Sequence, residues 1–458
     1  MRLLILLSLL SVISQIEAAT SLSILLVGSR YKLTEERVSD KRLQILADCG
    51  TEEFSCSVFD VLNGFTHSNS ENSLQGMWTI LPAFLKLPEA SDWTIIAEDT
   101  SEIDLKHLKR LIGNQKKNRD ADAPEFIGFG LKDREATIVH HFGMNAPDDF
   151  LYPLLSSGFI LSKQAVELIR KTEKSERWTG FAIDASYEFA LFLHKTYNLS
   201  MENSPELFCN SESGSKTCLV QRRILPKSKR FILKDNDIHV MIKTFTGHHQ
   251  NRIPVLQDTW TRGLANVEYC SDTVDDSIPT IDMGVQNTER GHCGKTWAIF
   301  RRFIGETGGS SKWLLIADDD TLISWKRLKR MLELYDPNDR VIIGERYGFG
   351  FSLNGETGYD YPTGGSGMIF SRPAVEALLQ TCPACAADSD PDDMTIGMCA
   401  VHFGIPIVHE ARLHQARPRD YAEDSLREPI SFHKFTEVDP RMVYQQYLSD
   451  EEYTHNEL

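Results

Sequence analysis

The stretch WLLIADDDTLISWKRLKRM, residues 313–331, contains the pattern that decides the fold of this chain. It opens with an apolar run of strand length, 313–317, which is followed by three consecutive aspartates. Beyond the aspartates, large apolar side chains recur every three or four residues over 322–332, the spacing of one helix face. The stretch therefore predicts a buried strand, an acidic turn and an amphipathic helix that includes Leu322.

An earlier part of the chain repeats this pattern. Residues 93–111 read WTIIAEDTSEIDLKHLKRL and align with 313–331 at the tryptophan, the alanine and the second acidic position. A second pair of similar blocks follows at nearly the same separation, 152–167 and 361–376, each beginning with Tyr-Pro. Two matched blocks in the same order indicate a duplicated domain.

Strand-like and helix-like segments alternate in both copies. Further candidate strands are 23–27, 238–244, 341–344 and 368–370. The alternation predicts an α/β class with a mainly parallel sheet, here in two tandem domains. The predicted division is a signal peptide over 1–18, a degenerate first domain over 20–200, a connector over 201–234, a catalytic second domain over 235–450 and a tail over 451–458.

The two ends of the chain carry targeting signals. Arg2, the apolar run 3–13 and the small residues Ala18 and Ala19 are typical of a secretory signal peptide. A type II membrane anchor is the alternative, but the run falls short of the roughly twenty residues of a span, and we expect no stable membrane insertion. The tail His455, Asn456, Glu457, Leu458 resembles the tetrapeptides read by the retrieval receptor of the endoplasmic reticulum (ER). These signals predict a location in the ER lumen.

Composition agrees with that location. The formal charge of −16 argues against nucleic acid as a partner. Several of the nine cysteines should pair in an oxidising compartment, and proximity suggests Cys49–Cys56, Cys209–Cys218 and Cys270–Cys293, with Cys399 unpaired. Cys382 and Cys385 are expected to be structural. Asn198, in Asn-Leu-Ser, is a candidate glycosylation site.

The aspartates Asp318, Asp319 and Asp320 are candidate metal ligands. Adjacent carboxylates at the end of a buried strand are costly unless a positive charge lies among them. Oxygen ligands suit Mg²⁺ or Mn²⁺, which complete their coordination with substrate phosphates. A solvated acidic turn or helix N-terminus is the alternative.

The motifs WLLIADDDT (313–321), YPTGGSGMIFS (361–371) and PDDMTIG (391–397) resemble those of the fringe-like β1,3-glycosyltransferase family in order and spacing. The resemblance covers about 235–450. It implies a GT-A fold, a UDP-sugar donor, Mn²⁺ or another divalent cation, and an inverting single displacement. Among family members, the chain is most similar to those that transfer glucose to O-linked fucose on thrombospondin type 1 repeats, which also have a degenerate first copy.

The resemblance also implies roles for individual residues. Asp318 and Asp320 would be metal ligands, with either His433 or His414 as a third, and we favour His433. Asp393 would be the catalytic base, with its neighbour Asp392 either sharing that role or capping the following helix. The donor would be bound by Thr244, Lys295, Asp318, Asp319, Gly364, Gly365 and Gly367.

The first copy departs from this pattern at several positions. Its acidic block is Glu98-Asp99-Thr100, so Thr100 stands where Asp320 stands in the second copy. Leu155 and Ser156 replace the glycine pair, whereas Asp184 aligns with Asp393. We therefore expect a copy that does not catalyse and that helps to hold the acceptor.

Three other functions compete with glucose transfer to an O-fucosylated protein. The first is transfer from UDP-galactose or UDP-N-acetylglucosamine, because donor choice rests on a few pocket contacts. The second is a non-catalytic luminal lectin or folding factor. The third is a glycosidase with two carboxylates, which an aspartate triplet fits less well than a metal.

Overall fold

A computed structural model describes residues 20–50, 54–65, 76–109, 111, 123–135, 137, 139–140, 146–172, 182–210, 217–222, 230–382 and 385–449. The predicted signal peptide and the retrieval tail lie outside these residues. Within them, no helix combines the length and the apolar character needed to cross a bilayer.

A six-stranded sheet forms the centre of the first copy. Its strands are β1 (Thr20–Val27), β2 (Phe54–Asp60), β3 (Trp93–Glu98), β4 (Phe126–Gly128), β5 (Phe159–Ser162) and β6 (Glu202–Asn203). Their order is β2-β1-β3-β5-β4-β6, and β5 runs antiparallel to both of its neighbours. The remaining pairs are parallel. The central strands are mainly apolar and largely buried, as expected for a sheet covered on both faces.

The second copy repeats this arrangement. Its strands are β7 (Ile238–Lys243), β8 (Val267–Ser271), β9 (Thr280–Asp282), β10 (Trp313–Asp318), β11 (Ile342–Gly344), β12 (Met368–Ser371) and β13 (Ile407–His409). Their order is β9-β8-β7-β10-β12-β11-β13, with β12 antiparallel to its neighbours. Apart from the additional edge strand β9, order and direction match the first sheet strand for strand. The predicted class, two tandem α/β domains with mainly parallel sheets, is confirmed.

Helices accompany both sheets, and one pair of them begins at matched positions. Those of the first copy are α1 (Lys32–Cys49), α2 (Val61–Phe65), α3 (Ile80–Lys86), α4 (Lys163–Arg170) and α5 (Ala185–Tyr197). Those of the second are α6 (Ile253–Asp258), α7 (Cys293–Arg302), α8 (Trp325–Leu332), α9 (Arg372–Thr381), α10 (Asp392–His402) and α11 (Pro440–Val443). Ser162 caps α4 and Ser371 caps α9 in the same way, each through its hydroxyl.

Short strands complete each copy. They are Glu102–Ile103, Gly130–Leu131, Tyr152–Pro153, Phe208–Cys209, Val220–Gln221, Thr321–Ile323, Arg346–Phe349, Tyr359–Pro362 and Ser431–His433. One of them corrects the sequence prediction, because Leu322 lies in a strand and α8 begins only at Trp325. That strand pairs antiparallel with Ser431–His433, which is remote in sequence. The periodicity of the residues around Leu322 cannot reveal this pairing.

The second sheet separates two apolar layers. On β7, Val240 and Ile242 face one layer, and Met241 between them faces the other. This alternation is the two-residue period of a strand, applied to a sheet that is buried on both sides.

The two copies share a packed boundary. Phe351 and Leu353 of the second copy are buried in the core of the first, where Phe351 stacks on Trp78 with the ring centroids 4.8 Å apart. Lys32 forms an ion pair with Asp339 at 2.7 Å across the same boundary. The segment predicted as a connector contributes to the first copy, since it contains strand β6 and the pair Phe208–Cys209 and Val220–Gln221.

Four disulfides connect eight of the nine cysteines, all of which lie in the described residues. The bridges are Cys49–Cys56, Cys209–Cys218, Cys293–Cys385 and Cys382–Cys399. The first two confirm the prediction. The predicted Cys270–Cys293 bridge is wrong, as is the prediction that Cys399 is free: Cys270 is the buried free thiol, in strand β8. The start of α7 lies instead beside the loop after α9, a neighbour that sequence proximity does not suggest.

This pairing predicts the accessible thiols. Burial raises the pKa of Cys270, so the native protein should react with neither maleimide nor iodoacetamide at pH 8. In denaturant without reductant, one label per chain should appear, and peptide mass spectrometry should locate it at Cys270. Full reduction is the control and should give nine labels. A label at Cys399 in the unreduced sample would contradict the assignment.

Candidate metal centre and adjoining cleft

The candidate site forms where two central strands of the second sheet end. β7 and β10 are adjacent and parallel, and their last residues, Lys243 and Asp318, are register partners. Ligand sites in sheets of this kind lie beyond the carboxyl ends of the strands. Asp318, Asp320 and His433 meet there, with one potential ligand atom from each lying within 4.8 Å of the others.

His433 reaches the aspartates through strand pairing. Ser431–His433 runs antiparallel to Thr321–Ile323, which places His433 opposite Thr321, directly after Asp320. Its Nε2 lies 3.0 Å from Asp320 Oδ1 and 3.7 Å from Asp318 Oδ2. Its Nδ1 donates to the carbonyl of Gln415 at 2.9 Å, which orients the ring with Nε2 towards the carboxylates. Two carboxylates and one imidazole form a donor set that suits Mn²⁺.

His414, the other histidine weighed from the sequence, lies elsewhere. It is buried between Phe432 and Tyr421, with ring centroids at 4.9 and 4.5 Å. Among the described residues, the group that could hold a metal includes His433 and does not include His414.

Gly365 makes room for the histidine. A Cβ built on Gly365 would overlap the imidazole of His433, whereas a Cβ on Gly364 would have no neighbour closer than Lys243 Nζ at 3.8 Å. Gly367 has φ +91°, in the left-handed region, and its counterpart Gly158 has φ +68°. In this glycine turn, residues 364–367, a glycine is needed at Gly365 to leave space for His433. A glycine is needed at Gly367 because its backbone is in the left-handed region.

Lys243 balances the charge of the cluster. Its ammonium is buried and lies 3.1 Å from Asp318 Oδ1 and 2.8 Å from Asp392 Oδ2. Burial alone would raise the pKa of Asp318, but Lys243 and then His433 outweigh it and hold that pKa at about 2. The signal for this role in the sequence is a lysine that ends a largely apolar strand.

The two aspartates at the start of α10 have different environments. Asp392 accepts hydrogen bonds from Lys243 and from Thr296 Oγ1 at 2.6 Å, and it does not cap the helix as we had suggested. Asp393 accepts bonds from the backbone N–H groups of Gly364 at 3.3 Å and Met394 at 2.8 Å. Burial, together with the charge of Asp392, raises the pKa of Asp393 to about 7. Asp392 is thus held as an anion while Asp393 can exchange a proton near neutral pH.

The carboxylate of Asp319 has hydrogen-bond partners within the protein. It binds Arg252 Nη1 at 2.7 Å, His248 Nδ1 at 2.9 Å and Thr244 Oγ1 at 2.8 Å. Arg252 also lies 2.8 Å from Asp320 Oδ2. Arg252 and His248 were not predicted from the sequence, because they precede α6 in a segment without a recognisable motif.

A cleft of about 510 Å³ adjoins the cluster, a size typical of small-molecule sites. Lys243, Thr244, Lys295, Asp318 and Asp319 all line it. Lys295 donates to the carbonyl of Thr244, and burial lowers its pKa. Four of the predicted donor-binding residues therefore line one cleft: Thr244, Lys295, Asp318 and Asp319. The predicted glycines Gly364, Gly365 and Gly367 are not among its lining residues.

In the first copy, the carboxylates at the corresponding positions form hydrogen bonds and ion pairs with other residues of the protein. Asp184, the counterpart of Asp393, caps α5 through the N–H of Ser186 and lies 2.8 Å from His140 Nδ1. Asp99 forms an ion pair with Arg37 at 3.2 Å. The carboxylate that would act as a base is thus held in a buried ion pair.

Asn198 lies at the surface. It is exposed and ends α5 in the left-handed conformation, with φ +53°. A glycan could be accommodated at this position without disturbing the core.

Comparisons with known proteins agree with this geometry. A family model described as fringe-like matches residues 233–454. A human protein named beta-1,3-glucosyltransferase is 40% identical over 389 residues, which cover 82% of this chain and 76% of the relative. Its mouse counterpart is 38% identical over 387 residues, covering 82% and 77%. Among solved structures, a glycosyltransferase involved in glycosylation of the major capsid of PBCV-1 matches with a TM-score of 0.30 and 12% identity, covering 45% of this chain and 97% of that one. That similarity is too low to support an argument.

The geometry of the glycine turn predicts a selective loss of metal binding. Gly365→Ala should displace His433 and weaken Mn²⁺ binding by about tenfold or more, the scale for disturbing a ligand's support. Isothermal titration calorimetry of the full chain would measure it. Gly364→Ala is the matched control and should bind Mn²⁺ as the unmodified protein does. Equal affinities for the two variants would show that His433 is not a ligand.

Proposed function

This chain belongs to the fringe-like β1,3-glycosyltransferase family, and on that premise we propose that it transfers glucose from UDP-glucose to O-linked fucose on thrombospondin type 1 repeats. The bond formed would be β1,3, with inversion at the anomeric carbon. One observation carries the proposal: the glycine turn joins the candidate metal centre to the candidate base, because Gly365 packs on His433 and the N–H of Gly364 binds Asp393. A sugar bound at this turn would have the departing diphosphate on one side and the base on the other.

The chain's own residues would prepare the donor side. Asp318, Asp320 and His433 would hold a divalent cation, and we propose Mn²⁺. When bound, such a cation supplies a Lewis acid that stabilises charge on the diphosphate. Arg252 now neutralises Asp319 and Asp320, and it lines the same cleft, so it is placed to contact a phosphate oxygen.

Asp393 would act on the acceptor side. Its carboxylate would take the proton from the fucose hydroxyl as that oxygen attacks the anomeric carbon and the bond to UDP breaks. Asp392 supports this role indirectly, since its charge raises the pKa of Asp393 and makes that carboxylate a better base.

The first copy would serve binding and not chemistry. It has Thr100 in place of Asp320, and its remaining base position, Asp184, is held by His140. We propose that it helps to position the protein acceptor.

We also propose that the enzyme acts in the ER lumen. The leader 1–18 and the tail 455–458 support this location, as do the disulfides, which form in oxidising compartments. A retrieval receptor would then be a partner.

Transfer onto a folded, O-fucosylated thrombospondin repeat tests the proposal. The purified chain should transfer glucose from UDP-glucose in the presence of Mn²⁺, and the reaction should be lost in chelator and in Asp320→Ala. UDP-galactose and UDP-N-acetylglucosamine, tested in parallel, should give little product. Turnover with one of them instead would overturn the glucose assignment. Folded protein that binds UDP and Mn²⁺ without turnover would favour a lectin or folding factor.

The pH profile tests the base. A protonated Asp393 cannot accept a proton, so kcat/KM should fall about tenfold per pH unit below a pKa of about 7 and reach a plateau above it. Asp393→Asn should lower kcat by about 10²–10⁴-fold and remove this limb, with Mn²⁺ and donor saturating. Asp184→Asn is the matched control in the first copy, because asparagine can still cap α5, and it should keep the original profile. A limb that persists in Asp393→Asn would assign the base elsewhere.

A further inference from the structure

A second cavity, of about 280 Å³, lies between the two copies. One wall carries the degenerate motif of the first copy, 98–100, together with Ser156 and Asp184. The facing wall consists of second-copy residues, chiefly 345–347 and 409–412. Thr100 and Ser156 on the first wall are half-buried, and His409 and Ala411 on the second wall are exposed, so the cavity is open to solvent. Residues of the second copy thus form part of the wall around the degenerate motif of the first copy.

The walls carry five carboxylate side chains and four arginines, so they offer an anion no excess of positive charge. Arg37 is paired with Asp99 at 3.2 Å, and Arg412 forms two bonds of 2.7 Å with Glu410. A phosphate or diphosphate that bound Arg37 or Arg412 would have to break one of these pairs and leave its carboxylate without a counter-charge. The volume is also at the lower end of the range for small-molecule sites and is close to that of one sugar ring rather than a nucleotide sugar. An uncharged, compact ligand fits these walls best.

His414 supplies the polar group that such a ligand could satisfy. The ring is 2% exposed and lines the cavity. Neither of its nitrogens has a hydrogen-bond partner among the described residues. Burial, and then the charge of Arg222, lowers its pKa to about 3, so the ring is neutral, with one donor and one acceptor nitrogen. An unsatisfied buried polar group costs about 1–3 kcal/mol, and a hydroxyl can satisfy either nitrogen.

Aromatic side chains supply much of the remaining lining: Trp78, Tyr152, Tyr335, Tyr347 and Tyr421. Apolar ring faces next to a few hydrogen-bonding groups are what a sugar requires, since its own surface alternates C–H faces with hydroxyls. We propose that this cavity is a second carbohydrate site, which binds one uncharged hexose unit through His414 and the surrounding aromatic rings. The unit could be a free sugar or the end of a glycan, and the site is separate from the donor cleft.

Sugar binding to the full chain in chelator, without nucleotide, tests the inference independently of transfer. Free D-glucose and D-galactose form one arm, and a glucosyl-β1,3-fucose disaccharide forms the other, each titrated by saturation-transfer NMR. At least one should bind, and preference for the disaccharide would identify a glycan end as the source. His414→Phe should weaken binding about tenfold, the equivalent of one buried hydrogen bond, and should not lower the Tm, because an unsatisfied polar ring is removed.

Three further variants complete the test. Ser156→Trp should fill the cavity and abolish binding, and it carries the test if His414→Phe does not fold. Asp320→Ala, in the candidate metal centre, and His107→Phe, at a half-buried position of the first copy that does not line the cavity, should each bind within about twofold of the unmodified chain. The inference is overturned if no sugar binds, if both cavity variants bind normally, or if Asp320→Ala abolishes binding.

Discussion

The ammonium of Lys243 is the interaction on which the candidate site depends. It lies between Asp318 at the end of β10 and Asp392 at the start of α10, and the buried carboxylate of Asp392 has no other ion-pair partner among the described residues. Removing one partner of a buried ion pair typically costs about 3–5 kcal/mol. Because Lys243 itself ends β7, it connects the centre of the sheet to the helix that carries Asp393. The ammonium of Lys243 therefore fixes the candidate base and the candidate metal centre relative to each other.

Local sequence patterns predicted most of the sheet, and tertiary contacts decided the rest. The apolar run 313–317 and the aspartates after it are found where the pattern indicated. Leu322 is a strand residue because of its remote partner Ser431–His433, and the same pairing brings His433 rather than His414 to the aspartates. Cys293 pairs with Cys385 because of how the helices pack on the sheet. In each case the missing information was a neighbour far away in sequence, which spacing along the chain does not contain.

The two copies have the same backbone arrangement and differ in the side chains that form the site. Strand order, strand direction and the serine caps of α4 and α9 are the same in both. The difference lies in a few side chains at the strand ends, where Thr100 and Ser156 replace Asp320 and Gly365. A side chain at the Gly365 position is incompatible with a histidine beside it, so the loss of the carboxylate and the loss of the glycine remove the same centre.

The strand that delivers His433 has a consequence for biosynthesis. The aspartates emerge from the ribosome well before Ser431–His433, and the two segments must pair before the three candidate ligands meet. Every strand of the two main sheets precedes Ser431–His433 in the chain, so both sheets can form before the three candidate ligands are brought together. The candidate centre would therefore be assembled late in folding, on a sheet that already exists.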